Sequence, residues 1–191
     1  MVQNLRMQDQ LKTEVEIMKT LDHENVVRNL TNFEDSTNIY LLMELAEDDH
    51  LYSRLKKFNY FNEQIAAKYM FDIFKAVNYL HERDPPIIHR DIKAENILFL
   101  GGKLKLADFG WSSMKDKVRT TFCGTPDYLA PEMILERGHN EKLDLWTLGI
   151  LTYELLVGKA PFSPDADTVK DQREAHTILE RNILKMEPDF S

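Results

Sequence analysis

A chain of 191 residues, 43% hydrophobic and 29% charged, has the size and balance of one globular domain and rules out wholesale disorder. Lys and Arg number 24 against 32 Asp and Glu, a formal net charge of −8, which argues against nucleic acid or an anionic membrane as main partner and mildly favours a basic one. The single Cys123 excludes an internal disulfide and a Cys-rich zinc site, so a reducing intracellular compartment, cytoplasm or nucleus, is expected. The first residues lack the apolar core of a secretory signal.

Residues 8–21 predict an amphipathic helix from the spacing of Leu11, Val15 and Met18. Glu14 falls on the same side as that stripe, whereas Glu16 points away. An inward carboxylate needs a cation; the other reading is a half-exposed Glu at a solvated edge. Residues 39–46 predict a buried strand, closed by the acidic run Glu47-Asp48-Asp49. A helix follows from Asn62, its N-cap, to Arg83, with the stripe Ile65, Tyr69, Ile73, Val77 and Leu80, and Pro85-Pro86 stops it. From Leu143 to Val157 the pattern is apolar all round, which predicts a helix buried within a helical lobe. Interrupted by Asp144 and Glu154, that stretch is too short to span a bilayer. The order gives an α+β class with an incomplete sheet portion at the N-terminus. All seven glycines lie after residue 100, so the first half holds no glycine-rich phosphate-cradling loop.

The middle of the chain carries the chemistry. An apolar run, 97–100, and an alternating one, Lys103-Leu104-Lys105-Leu106-Ala107, flank Gly101-Gly102 and predict a two-residue hairpin. Closing it there sets Asn96 opposite Ala107 and Glu95 opposite Asp108. Two hard oxygen ligands, Asn96 and Asp108, then lie side by side at the open end, which suits Mg²⁺ sharing its shell with phosphates. Asp91 lies just upstream with His89, Arg90 and Lys93. Singly, Asn and Asp flank hairpins as ordinary turn residues.

Together, His89-Arg90-Asp91-Ile92-Lys93-Ala94-Glu95-Asn96, Asp108-Phe109-Gly110 and Ala130-Pro131-Glu132 form an ordered motif set that resembles the eukaryotic protein kinases over nearly the whole chain. The resemblance implies a bilobal kinase fold, with an incomplete N-terminal β lobe and a mostly helical C-terminal lobe. It implies ATP and Mg²⁺, with Asp91 accepting the proton of the substrate hydroxyl and Lys93 neutralising charge on the transferring phosphoryl. Asn96 and Asp108 would hold the metal. Met43 would be the gatekeeper, Glu44, Leu45 and Ala46 the hinge against adenine, and Leu98 the floor beneath its ring. Glu14 would be the helix glutamate that pairs with a nucleotide-positioning lysine. His89 and Phe109 would stack in an internal spine. Asp144 would hold the catalytic loop, or serve only as an acid at a helix N-terminus. Glu132 would pair with an arginine further along the chain, or stay hydrated at the surface.

Lys93 and the segment Gly124-Thr125-Pro126-Asp127-Tyr128 resemble the serine/threonine branch. A phosphate on Thr121 would gather cations including Arg90 and order its loop; the plain alternative is a solvated Thr pair. Segments such as 108–112, 119–125 and 156–162 are similar to the aurora type, with Ala94 and Ala130 in place of its usual prolines. That similarity implies protein substrates with Arg near the target Ser or Thr, and Glu95 is the candidate to receive it, unless it is a surface Glu on the hairpin shoulder. It also implies spindle- or chromosome-associated activators and a spindle or centrosome location, with no nucleic-acid or membrane partner. No Val-Ala-x-Lys segment precedes Glu14, and Pro188-Asp189-Phe190-Ser191 resembles the approach to the last kinase helices. The expectation is a partial kinase domain over 1–191: an N-lobe remainder with helix and hinge (1–46), then a C-lobe lacking its last helices (47–191). The alternative is a truncated, catalytically inactive kinase-like binding module.

Overall fold

The longest helix begins where the side chain of Asn62 accepts a hydrogen bond from the Ile65 amide at 2.9 Å, a cap that satisfies one of the free donors of the first turn. This helix, α3 (Glu63–His81), is the central element of a computed structural model. The structure describes residues 14–35, 37–46, 49–110, 112–114, 126–138, 140–165, 169–185 and 187–188. In chain order, helix α1 covers residues 14–19. Strands β1 (Asn29–Glu34) and β2 (Ile39–Met43), then helices α2 (Leu51–Phe58) and α3, follow it. Next come β3 (Ile87–Ile88), a 3₁₀ turn (Ala94–Asn96), β4 (Ile97–Leu100), β5 (Lys103–Leu106) and β6 (Ser113–Met114). A second 3₁₀ turn (Pro126–Tyr128) precedes α4 (Pro131–Ile134), α5 (Lys142–Val157) and α6 (Gln172–Lys185).

The strands form three two-stranded antiparallel sheets, β1–β2, β3–β6 and β4–β5. Register in the last pairs Ile97 with Leu106 and Leu100 with Lys103, as closure on Gly101-Gly102 requires. Both glycines have positive φ, 60° and 79°, the conformation of a two-residue hairpin turn that other residues resist. The hairpin packs on α3, and α3 packs on α5. Ile73, Ala76 and Leu80 of α3, Ile97, Leu104 and Leu106 of the hairpin, and Leu143, Leu148, Leu151 and Leu155 of α5 are all buried in one core.

Three expectations need correction. The strand over 39–46 ends at Met43, and it is not buried: Leu42 is 51% exposed. Among the described residues it pairs only with β1, and Tyr40 and Met43 are exposed with Leu42. The buried face of α3 is Ala66, Met70, Ile73, Ala76, Val77 and Leu80. Ile65 is exposed and Tyr69 partly buried, because small side chains at 66 and 76 permit close approach of the neighbouring elements. Helix α5 is not buried all round either, since Leu145 is 54% exposed and Leu156 and Val157 also face outward. The helical turns at 14–19 agree with the expected first helix, whose Leu11 lies outside the described residues. Strand β1 and helix α2 lie outside the expected elements; α2 buries Leu51 and Leu55, one turn apart, and is capped by His50, whose Nδ1 accepts the Ser53 amide.

Gly158 ends α5 in the left-handed region at φ 88°. A Cβ there would lie 2.3 Å from the carbonyl oxygen of Asn59. Gly158→Ala is therefore expected to lose at least about 1 kcal/mol through strain and displacement of the α2–α3 loop. Gly149→Ala, at a helical position with nothing within 4 Å, is expected to gain about 0.5–1 kcal/mol. Urea unfolding of the two variants checks the opposite signs.

Candidate active site

The first turn of α5 places Asp144 in the core, fully buried. Its Oδ1 accepts the Arg90 amide at 2.8 Å, and its Oδ2 accepts the His89 amide at 2.9 Å. His81 of α3 adds a 2.7 Å contact from Nε2 to the same Oδ2. One carboxylate thus ties α3 and α5 to the turn that precedes Asp91. Arg90 has φ 70°, a conformation that costs free energy for a non-glycine residue and persists when its surroundings over-determine it. The two amide bonds to Asp144 are that over-determination.

Asp91 is buried at the head of the loop. Asn96, in the 3₁₀ turn, donates through Nδ2 to the Asp91 carbonyl and to its Oδ2, both at 2.9 Å. Lys93 Nζ lies 3.0 Å from the same Oδ2. These contacts orient the carboxylate and leave Oδ1 as its acceptor atom. They also fix the Asn96 amide: with Nδ2 turned to Asp91, its Oδ1 is the side that remains for a cation. Ala107 donates to the Asn96 carbonyl at 2.9 Å, which extends the hairpin ladder to its open end and brings Asp108 alongside. Asp108 is exposed with φ 63°, and its Oδ1 accepts the Gly110 amide at 3.2 Å. An exposed carboxylate and an amide oxygen form a hard-oxygen donor set, and the residues present fit Mg²⁺ shared with phosphate.

His89 and Phe109 are buried with ring centroids 4.9 Å apart, edge to face. His89 accepts the Asp91 amide at Nδ1 (3.3 Å) and faces the Ala107 carbonyl with Nε2 (3.2 Å), so the proton belongs on Nε2. Burial pushes its pKa down, against the opposing pull of Asp144 and Asp91. Glu14 sits half-buried on α1, close to Asp108 and to Gly110, where a Cβ would come 3.6 Å from its Oε2. Burial raises its pKa, with repulsion from Asp108 second.

In the segment after β2, the Glu44 amide donates to the Arg28 carbonyl at 3.0 Å. Leu45 is 75% exposed, Met43 is exposed and Ala46 half-buried. Leu98 lies on β4, half-buried and bridged to His50. Glu132 is half-buried in the first turn of α4. Thr121 and Thr125 lie outside the described residues.

An acidic group beside this loop escaped the sequence reading. Tyr128 donates its hydroxyl to Glu154, and Asp127 accepts from Ser163 at 2.6 Å. Glu154 has its pKa raised first by burial and then by Glu95 and Asp127. Tyr128 is pushed well up by burial and by Glu154, with Glu95 contributing. Asp127 and Glu154 line a cavity of about 310 Å³ with Tyr52, Lys56 and Lys159. The available signal was a lone Glu in the apolar run 143–157, which reads simply as an interruption until the fold brings Glu95 near it.

A buried aspartate holding the loop, an Asn-oriented Asp91 and a hairpin presenting Asn96 and Asp108 define a phosphotransferase type of site. The protein kinase domain profile matches residues 2–190, and the chain belongs to the protein kinase family. It is 47% identical over 184 residues to an aurora kinase of Schizosaccharomyces pombe, covering 95% of this chain and 49% of that protein. It is 45% identical to aurora kinase B-A of Xenopus laevis over the same shares, and 44% identical to an aurora kinase of Eremothecium gossypii, covering 92% and 47%. The chain spans about half the length of these curated relatives. No helix among the described residues is long and apolar enough to cross a membrane.

The buried neutral His89 makes stability depend on pH. Its pKa lies below the ordinary 6.5, so below that pH the unfolded chain takes up a proton that the folded one refuses. Stability then falls with falling pH, by up to about 1.4 kcal/mol per pH unit. His23, also lowered by burial, acts in the same direction. Glu14 and Glu154, with raised pKa, act oppositely, losing stability as pH rises from 4.5. Urea midpoints between about pH 6.5 and 5 should fall more steeply for wild type than for His89→Gln; equal slopes would remove His89 as the cause.

Proposed function

We propose that this chain is the phosphotransfer core of an aurora-like protein serine/threonine kinase. The observation that carries the reading is the double grip of Asn96 on Asp91, which orients a catalytic base and a cation-facing oxygen with one side chain. Asp91 Oδ1 accepts the proton of the substrate hydroxyl as its oxygen attacks the γ-phosphorus of ATP and ADP departs. Lys93, held on Asp91 Oδ2, balances negative charge on the transferring group. Asn96 and Asp108 would hold Mg²⁺, which when bound neutralises charge on the phosphates. Glu44, Leu45 and Ala46 present backbone to adenine, Met43 bounds the recess and Leu98 lies under the ring. Asp144 positions the loop, and His89 packed on Phe109 fixes the start of the Asp-Phe-Gly segment. Glu14 offers its carboxylate to a cation beside the phosphates. Thr121 and Thr125 belong to the activation and substrate-docking segment, and Glu132 closes the end of that segment.

The substrate reading is a protein with Arg near the target Ser or Thr. Glu95 and Asp127 raise the cost of charging Glu154 beyond that of its burial, and a guanidinium would relieve it with paired hydrogen bonds. By their similarity to aurora kinases, the partners proposed for the whole protein are spindle- or chromosome-associated activators, with a role in cell division at the spindle or centrosome.

Calorimetric titration of the 191-residue chain should give MgATP binding that Asp108→Ala abolishes. With a Ser peptide carrying Arg two residues before the target, Asp91→Asn should lower kcat by about 10²–10⁴-fold. Glu154→Gln should raise KM for that peptide and leave KM for its Arg→Ala counterpart unchanged. Absence of MgATP binding by the wild-type chain would overturn the nucleotide reading, and equal KM effects on both peptides would overturn the Arg reading.

A further inference from the structure

Lys105 is one of two lysines in β5, and unlike Lys103, whose side chain is 53% exposed, its side chain is only 12% exposed. Its Nζ lies 2.6 Å from Oε1 of Glu44, whose side chain is 19% exposed. The same Oε1 accepts the Arg28 amide at 2.9 Å, and the Glu44 amide returns a bond to the Arg28 carbonyl at 3.0 Å. Lys105 Nζ also reaches the Val26 carbonyl at 3.5 Å. The backbone around 25–28 is in turn bonded to β5, through Val27 to the Leu106 carbonyl (2.9 Å) and Leu106 to the Asn25 carbonyl (2.8 Å). Three separate segments, 25–28, 44–46 and β5, therefore meet at one carboxylate oxygen.

The placement of this pair matters more than its strength. Register sets Lys105 directly opposite Leu98, and directly opposed side chains in an antiparallel pair share one face. Lys105 thus stands beside the residue read as the adenine floor and holds the first residue read as the adenine edge. Three residues further along its own strand direction comes Asp108. The segment 44–46 itself belongs to no strand or helix, and it is joined to the hairpin indirectly, by the Glu44–Arg28 backbone bond, and directly, by the Glu44 carboxylate on Lys105. A partly buried ion pair is screened less than a surface one and keeps its geometry better.

The geometry assigns Lys105 as a positioning residue for the nucleotide: through Glu44 it sets the distance between the adenine-edge backbone at 44–46 and the hairpin bearing Leu98, Asn96 and Asp108. The inference rests on the nucleotide reading above, and goes beyond it in naming a residue that touches neither base nor phosphate.

The test is a double-mutant cycle on the 191-residue chain, read by MgATP affinity and by amide hydrogen exchange at residue 44 without nucleotide. Lys105→Met and Glu44→Gln should each weaken MgATP binding about tenfold. The double variant should be no weaker than either single one, and Lys105→Arg should recover most of the loss. Exchange at Glu44, whose amide is bonded to the Arg28 carbonyl, should quicken in Lys105→Met while α3 amides keep their protection. Additive losses in the double variant, or unchanged exchange at Glu44 in Lys105→Met, would overturn the role of Lys105. If wild type fails to bind MgATP yet exchange at Glu44 quickens in Lys105→Met, the nucleotide reading falls, taking the nucleotide role with it and leaving a structural tie alone.

Discussion

A single buried carboxylate, that of Asp144, constrains the rest of this structure. Removing a carboxylate from water is costly unless donors replace its hydration, and here two backbone amides and an imidazole do so. Because those donors come from α3 and from the turn at 89–90 while the carboxylate stands on α5, satisfying the charge forces all three into one arrangement. The positive φ of Arg90 follows from it, and the side chain of Asp91 is aimed by it. A leucine in the same place would bury as well but would leave both amides without acceptors.

From that anchor the site is built by short-range rules. Gly101 and Gly102 permit the tight turn, the turn fixes the register, and the register carries Asn96 and Asp108 to the same end of the hairpin. Asn96 then links the two halves, because its amide donates to Asp91 while its carbonyl oxygen looks the other way. The buried His89–Phe109 contact ties the strand side of the hairpin to the loop side. Rigid elements carry each of these groups, which is what a charge-stabilising site requires, since its dipoles must already be in place when charge develops.

Much of this was legible in the residues themselves. The hairpin and its register followed from two glycines between an apolar run and an alternating one, and α3 from Asn62, a long apolar period and the prolines beyond. The kinase motifs located Asp91, Asn96 and Asp108 because such chemistry needs those residue types in that order. Other features were hidden by the same local view. Strand β2 reads as buried because five consecutive residues are apolar, yet burial depends on what lies across the sheet. Ile73, Val77 and Leu80 of α3 are buried as expected, and only its N-terminal end differs, where Ala66 and Met70 are buried in place of the larger Ile65 and Tyr69. Smaller side chains are the ones that close packing selects.

The residues alone settle the class of protein, through the ordered set of motifs between His89 and Glu132, and the local turns, which rest on residues within about one helical turn or one hairpin of each other. Only the tertiary structure decided the long-range electrostatic partners: His81 with Asp144, Lys105 with Glu44, and Glu154 with Tyr128 beside Glu95. Coulomb interactions and hydrogen bonds depend on distance in space, and periodicity along the chain holds no record of which distant charges folding will bring within 3 Å.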